Sequence, residues 1–68
     1  MDSAVYKMIE VVGTSPDSVD DAIKTAVSKA SATVRQMQWF EVTQVRGNIV
    51  DGNVSQFQVM VKIGFSIE

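Results

Sequence analysis

The dipeptide Asp51-Gly52 constrains the fold more than any other part of this chain. It separates two segments, 38–48 and 54–67, that are predicted to be strands, and Asp-Gly between strands is a strong signal for a two-residue hairpin turn. If it forms the turn, Val50 pairs with Asn53 and the whole register follows. The pairs predicted on one face are Phe40–Ile63, Val42–Val61, Gln44–Val59 and Arg46–Phe57. Those on the other face are Trp39–Gly64, Glu41–Lys62, Thr43–Met60 and Val45–Gln58.

The predicted register agrees with the chemistry of most residues. The first face is mostly apolar and is expected to cover a helix, while Glu41 opposite Lys62 is a favourable charge pair on the second face. Arg46 fits badly, because its parity places it on the helix side. Either the helix no longer covers the sheet there, or a bulge at Gly47 turns the side chain. The sequence leaves both explanations open.

Trp39 is the only tryptophan, and the register turns it away from the core, with Gly64 leaving open space beside the indole. An outward-facing indole on so small a domain needs a partner, which is a subunit, a ligand or both. With Lys62, Gln58 and Arg46 it offers a stacking plane, an amide and two cations. The alternative is that Trp39 packs in a subunit interface, and the residues alone favour that interpretation.

The first half of the chain predicts a strand and one helix. Residues 4–12 are apolar at both strand parities, so one face should meet the helix and the other a neighbouring subunit. Gly13 begins the break after this strand, with Ser15 as the helix N-cap and Pro16 at the first helical position. A stripe typical of an amphipathic helix of about six turns follows. Its members are Val19, Ile23, Ala26, Val27, Ala30, Val34 and Met37.

The predicted fold class is therefore α+β. It is a strand–helix–strand–strand unit whose antiparallel sheet curls around one long amphipathic helix, as a single domain over residues 1–68. A chain of 68 residues buries only about 60% of its unfolded surface, so such domains usually need disulfides, a metal or oligomerisation. There is no cysteine and no histidine, which leaves oligomerisation.

Composition also narrows the function. The net charge of −2 gives no support to nucleic-acid or anionic-membrane binding. No signal peptide or membrane span is recognisable, so a cytoplasmic protein is expected. The serines have no histidine partner, and the helix-start acids Asp17, Asp20 and Asp21 suit capping better than catalysis. An enzyme is therefore not expected, and no spacing indicates a metal site.

The chain resembles the dodecin family along nearly its whole length. The matching segments are Tyr6 to Ser15, Trp39-Phe40-Glu41-Val42, Val45-Arg46-Gly47, Phe57-Gln58-Val59 and Val61-Lys62-Ile63-Gly64-Phe65. Dodecins are small flavin-binding proteins that assemble as hollow dodecamers. The resemblance implies that Trp39 stacks on the isoalloxazine ring, that Gln58 hydrogen-bonds its polar edge and that Arg46 lies near the ribityl or phosphate end. Some bacterial members also hold coenzyme A, for which Lys29 and Arg35 are the candidates.

The sequence and the resemblance together predict a homo-dodecamer that stores or sequesters flavin, either FMN or riboflavin. In the predicted register Trp39 and Gln58 share a face but lie six residues apart, which is about 20 Å at the usual strand rise. A site that uses both residues would therefore draw on more than one chain. Two alternatives are a purely structural homo-oligomer with Trp39 as interface anchor and a flavin-dependent oxidoreductase.

Overall fold

The computed structural model describes residues 3–67 and has the α+β architecture that the sequence predicts. Its elements are β1 (Tyr6–Ser15), α1 (Val19–Ala30), β2 (Met37–Val50) and β3 (Asn53–Ser66). The sheet order is β1-β3-β2, and both outer strands run antiparallel to β3. The helix packs against one face of this sheet, and the opposite face is called the outer face below. The prediction of strand–helix–strand–strand is confirmed.

The hairpin turn is the one predicted. Asp51 and Gly52 both have positive φ, 53° and 78°, and Val50 pairs with Asn53. This is the conformation that a two-residue type I′ turn requires, and aspartate followed by glycine adopts it at low cost. The turn therefore fixes how the two longest strands begin to pair.

The predicted register is correct beside the turn and again from Trp39 to Val42, and it is wrong between these two stretches. Trp39 pairs with Gly64 and Val42 with Val61, as expected, but Thr43 is an extra residue that shifts the pairing by one. A second irregularity between Asn48 and Ile49 restores the register before the turn. The corrected middle pairs are Gln44–Met60, Val45–Val59, Arg46–Gln58 and Gly47–Phe57. The alternation of side chains assigns residues to faces only within a stretch that has no bulge. Two bulges that compensate for each other therefore cannot be detected from the sequence pattern.

β1 extends further than predicted, through Gly13 to Ser15. A Cβ atom on Gly13 would lie 2.1 Å from the carbonyl oxygen of Ala22, so this glycine permits close approach of helix and strand. Ser15 is not the N-cap: it is buried and its Oγ donates to Asp21 Oδ2 at 2.7 Å. Ser18 caps the helix instead, accepting from the backbone N–H of Asp21 at 3.0 Å.

The helix has 12 residues and ends at Ala30, so the prediction of six turns was wrong. Ser31 begins a turn, and its hydroxyl donates to the carbonyl oxygen of Ser28. Further along the connection to β2, Gln36 has a positive φ of 60°. Serine and threonine compete with helical hydrogen bonding, which explains why the apolar spacing beyond Ala30 was misleading. Met37 is a core residue as predicted, but it opens β2 rather than closing the helix.

The core lies between α1, β1 and β3 and leaves most of β2 uncovered. Its buried residues are Ala22, Ala26, Ala30, Val59, Val61 and Ile63. On β2, the helix-side residues Phe40 and Val45 are each 51% exposed. The helix therefore covers two strands and not the three that the sequence predicted, because its small alanine face sits directly over β1.

Candidate functional site

Trp39 lies on the outer face, directly over the backbone of β3. A Cβ atom built on its pair partner Gly64 would lie 2.3 Å from both Cε2 and Cζ2 of the indole and 2.6 Å from Cη2. Three ring atoms so close to one point show that the ring lies across the glycine. The expected open space beside the indole is therefore filled by the indole itself.

Tyr6 contacts the indole from β1, on the far side of the central strand β3. Its ring centroid is 5.0 Å from that of Trp39, with an interplanar angle of 68°, which is an edge-to-face contact. Trp39 remains 41% exposed. The contacts with Gly64 and Tyr6 hold the indole against the sheet and leave part of its surface free for a flat aromatic partner.

Arg46 and Gln58 are brought together at the other end of the outer face. The bulge at Thr43 makes them a cross-strand pair, and Arg46 Nε donates to Gln58 Oε1 at 2.8 Å. The predicted pairing of Arg46 with Phe57 was therefore wrong, and of the two explanations left open for its parity a bulge is the one found. The bulge that turns the side chain lies at Thr43 and not at Gly47, the position the sequence suggested.

Gln56 completes a polar cluster with these two residues, and sequence reasoning missed it. Gln58 Nε2 donates to Gln56 Oε1 at 3.3 Å, and both glutamines are half-buried. The signal was present in the sequence, because residues two apart on a strand share a face. Arg46, Gln58 and Gln56 are called the amide cluster below.

The indole and the amide cluster are separated within one chain. Gly64, beneath the indole, is six residues from Gln58 along β3, which is about 20 Å at the usual rise. Between them lies a charged row in which Lys62 is paired with Glu10 on β1 and with Glu41 on β2. The structure thus confirms the predicted Glu41–Lys62 pairing and places both groups of site residues on one face without contact.

The coenzyme A candidates lie elsewhere. Lys29 is in the last turn of α1 and lines a cavity with Thr14 and Thr25, beside β1. Arg35 follows the helix in the connection to β2. Within residues 3–67, no group of three or more acidic, histidine or cysteine side chains could hold a metal ion. No helix in that same range is long and apolar enough to cross a membrane.

Comparison with known proteins gives consistent matches over the entire fold. The family model described as Dodecin matches residues 5–68. The chain is 42% identical over 64 residues to the dodecin of Thermus thermophilus, covering 94% of this chain and 93% of that one. The structure of dodecin from Streptomyces coelicolor matches with a TM-score of 0.93 at 56% identity, covering 100% and 97% of the two chains. Dodecin from Streptomyces davaonensis matches with a TM-score of 0.92 at 40% identity, covering 98% of each.

Proposed function

The chain belongs to the dodecin family, and on that premise we propose that it binds flavin within a homo-dodecamer. The proposed role is storage or sequestration of FMN or riboflavin, not catalysis. The observation that carries the proposal is the half-exposed indole of Trp39, held flat against the sheet by Gly64 and Tyr6. A planar, pre-oriented indole is suited to stacking on an isoalloxazine ring, because little side-chain freedom is lost on binding.

The amide cluster is suited to the polar parts of the same ligand. The amide of Gln58 can accept and donate at once, which matches the adjacent C=O and N–H groups of the pyrimidine edge. Arg46 contacts Gln58 through Nε, and its terminal guanidinium nitrogens form a separate set of donors that suits a phosphate. Arg46 is therefore proposed to favour FMN over riboflavin.

Assembly is part of the proposed site. Trp39 and Gln58 are too far apart in one chain to grip a single ring, so each site combines the indole of one subunit with the amide cluster of another. Apolar side chains that would otherwise face water support association. Those on the outer face of β1 are Tyr6, Met8 and Val12, and those near the hairpin tip are Ile49, Val50 and Val54.

The alternative from another functional class is a structural homo-oligomer in which Trp39 is only an interface anchor. The exposed apolar surface supports assembly in either case, so ligand content separates the two functions. A flavin-dependent oxidoreductase is the weaker alternative, because the chain has no histidine, the side chain that most often transfers protons in catalysis. Turnover with an electron donor would be its signature.

The test begins with the native protein, purified without added ligand and denatured to release its small molecules. Mass spectrometry should identify FMN or riboflavin, and the same measurement detects coenzyme A if Lys29 and Arg35 help to hold it. Light scattering across a dilution series should show a closed assembly of twelve chains. An assembled protein that carries no flavin and binds none when flavin is added would support the structural alternative.

A further inference from the structure

The amide of Gln58 has two hydrogen-bonding neighbours, Arg46 and Gln56, which contact its opposite ends. Arg46 is only a donor, so the atom facing it must be the carbonyl oxygen Oε1, and the 2.8 Å contact has that arrangement. The amide nitrogen is then directed at Gln56, whose Oε1 accepts from Gln58 Nε2 at 3.3 Å. The two contacts together define which end of the amide points to which strand.

The second contact is needed because the first one alone does not fix the amide plane. A single hydrogen bond to Oε1 restrains one atom and leaves the amide free to rotate about that contact. Arg46 is also exposed, whereas Gln56 is half-buried on the same strand as Gln58, with Asn48 as its cross-strand neighbour. Gln56 is thus the better-fixed of the two partners.

We propose that Gln56 is a positioning residue that fixes the orientation of the Gln58 amide for ligand binding. With Nε2 committed to Gln56 and Oε1 to Arg46, one N–H and one oxygen lone pair of Gln58 remain, in a fixed order. That order selects ligands with an adjacent C=O and N–H, as in a cyclic imide. The choice of flavin as the ligand rests on the proposed function, whereas the ordering of the amide does not.

Two substitutions separate positioning from structure. Gln56→Glu keeps an acceptor for Gln58 Nε2, while Gln56→Met keeps the length and removes that acceptor. Riboflavin is the probe, because it has no phosphate to engage Arg46. Fluorescence titration of the assembled protein should show about 2- to 10-fold weaker binding for Gln56→Met, the usual worth of one neutral hydrogen bond. Gln56→Glu should bind riboflavin within about twofold of the unsubstituted protein.

Two further measurements distinguish a positioning role from a purely structural one. They are the energetic coupling between Gln56 and Gln58 and the selectivity of the site for the imide N–H of the ligand. In a Gln58→Ala background, Gln56→Met should have no further effect, because no amide remains to be oriented. Riboflavin methylated at N3 lacks the imide N–H, so the unsubstituted protein should discriminate against it, and Gln56→Met should reduce that discrimination. An equal loss in both backgrounds, or unchanged discrimination, would overturn the proposal.

A ligand-free measurement distinguishes failure of this proposal from failure of flavin binding. The side-chain N–H groups of Gln58, followed by NMR in ¹⁵N-labelled protein, should exchange with water faster in Gln56→Met and remain protected in Gln56→Glu. If they do so in a protein that binds no riboflavin, the amide is ordered by Gln56 and the flavin assignment is wrong. If the Gln58 N–H groups exchange at the same rate in all three proteins, Gln56 does not position the amide.

Discussion

Replacing Gly64 by alanine tests whether the indole of Trp39 is a ligand platform. The new Cβ would lie 2.3 Å from Cε2 and Cζ2, whereas carbon atoms in contact stay about 3.5 Å apart. The ring must therefore move by at least about 1.2 Å or turn off the strand. Because stacking of an aromatic ligand is worth about 1–3 kcal/mol, loss of the aligned platform should weaken flavin binding by that amount. This corresponds to about 5- to 150-fold in Kd.

The assay is titration of FMN by fluorescence at constant temperature, with light scattering on the same samples to establish that assembly is intact. Trp39→Phe provides the matched background, because a phenyl ring is smaller than an indole and meets the added methyl group less severely. The penalty of Gly64→Ala should shrink in that background. Unchanged affinity of an assembled Gly64→Ala protein would refute the reasoning, since it would show that the packing of the indole against Gly64 does not affect flavin binding.

Three further substitutions test separate parts of the structure. An electron-rich indole stacked on an excited flavin should quench its fluorescence by electron transfer. Trp39→Ala should therefore weaken flavin binding by about 1–3 kcal/mol and restore fluorescence to any flavin still bound, with Trp39→Phe intermediate. Unchanged affinity and quenching in an assembled protein would remove Trp39 from the site. Arg46→Ala should weaken FMN more than riboflavin by about 1.5–3 kcal/mol, a difference that salt should reduce, whereas equal losses would indicate a structural role. Gly13→Ala should lower the free energy of unfolding by about 1–3 kcal/mol in denaturant titrations, because its Cβ would meet the Ala22 carbonyl; an unchanged midpoint would contradict the close packing.

The parts of the fold that could be predicted were those that one local signal specifies. Asp51-Gly52 fixed the turn and, with it, the pairing nearest to it, while the Trp39–Gly64 end of the register was correct because the two bulges compensate. The helix end could not be predicted from periodicity, since Val34 and Met37 continue the apolar spacing after the helix has stopped. Apolar spacing indicates which residues are buried but not whether they belong to a helix. Residues of a following strand that enter the same core can continue the spacing by coincidence.

The candidate site, like the fold, was predicted correctly in some places and not in others. Trp39 was placed on the correct face, because the two bulges between it and the turn cancel. Arg46 was paired with the wrong residue and its face was left open, since one inserted residue at Thr43 reverses the side chains that follow it on β2. Gln56 was overlooked because its partner is Gln58 on the same strand, and a search for cross-strand pairs does not reveal such a contact.

The strand order has a consequence for how the chain reaches this structure. β2 and β3 are joined by a two-residue turn and can pair as soon as both have been synthesised, and short hairpins close within microseconds. β1 is made first, yet its partner is β3, with Tyr6 at one end of the chain against Ser66 at the other. During synthesis the first strand and its helix must therefore remain without their sheet until the last strand has left the ribosome. The exposed apolar residues of β1 remain unpaired during that interval. Pairing of β1 with β3 joins segments far apart in the sequence, so it is expected to be the slow step of folding.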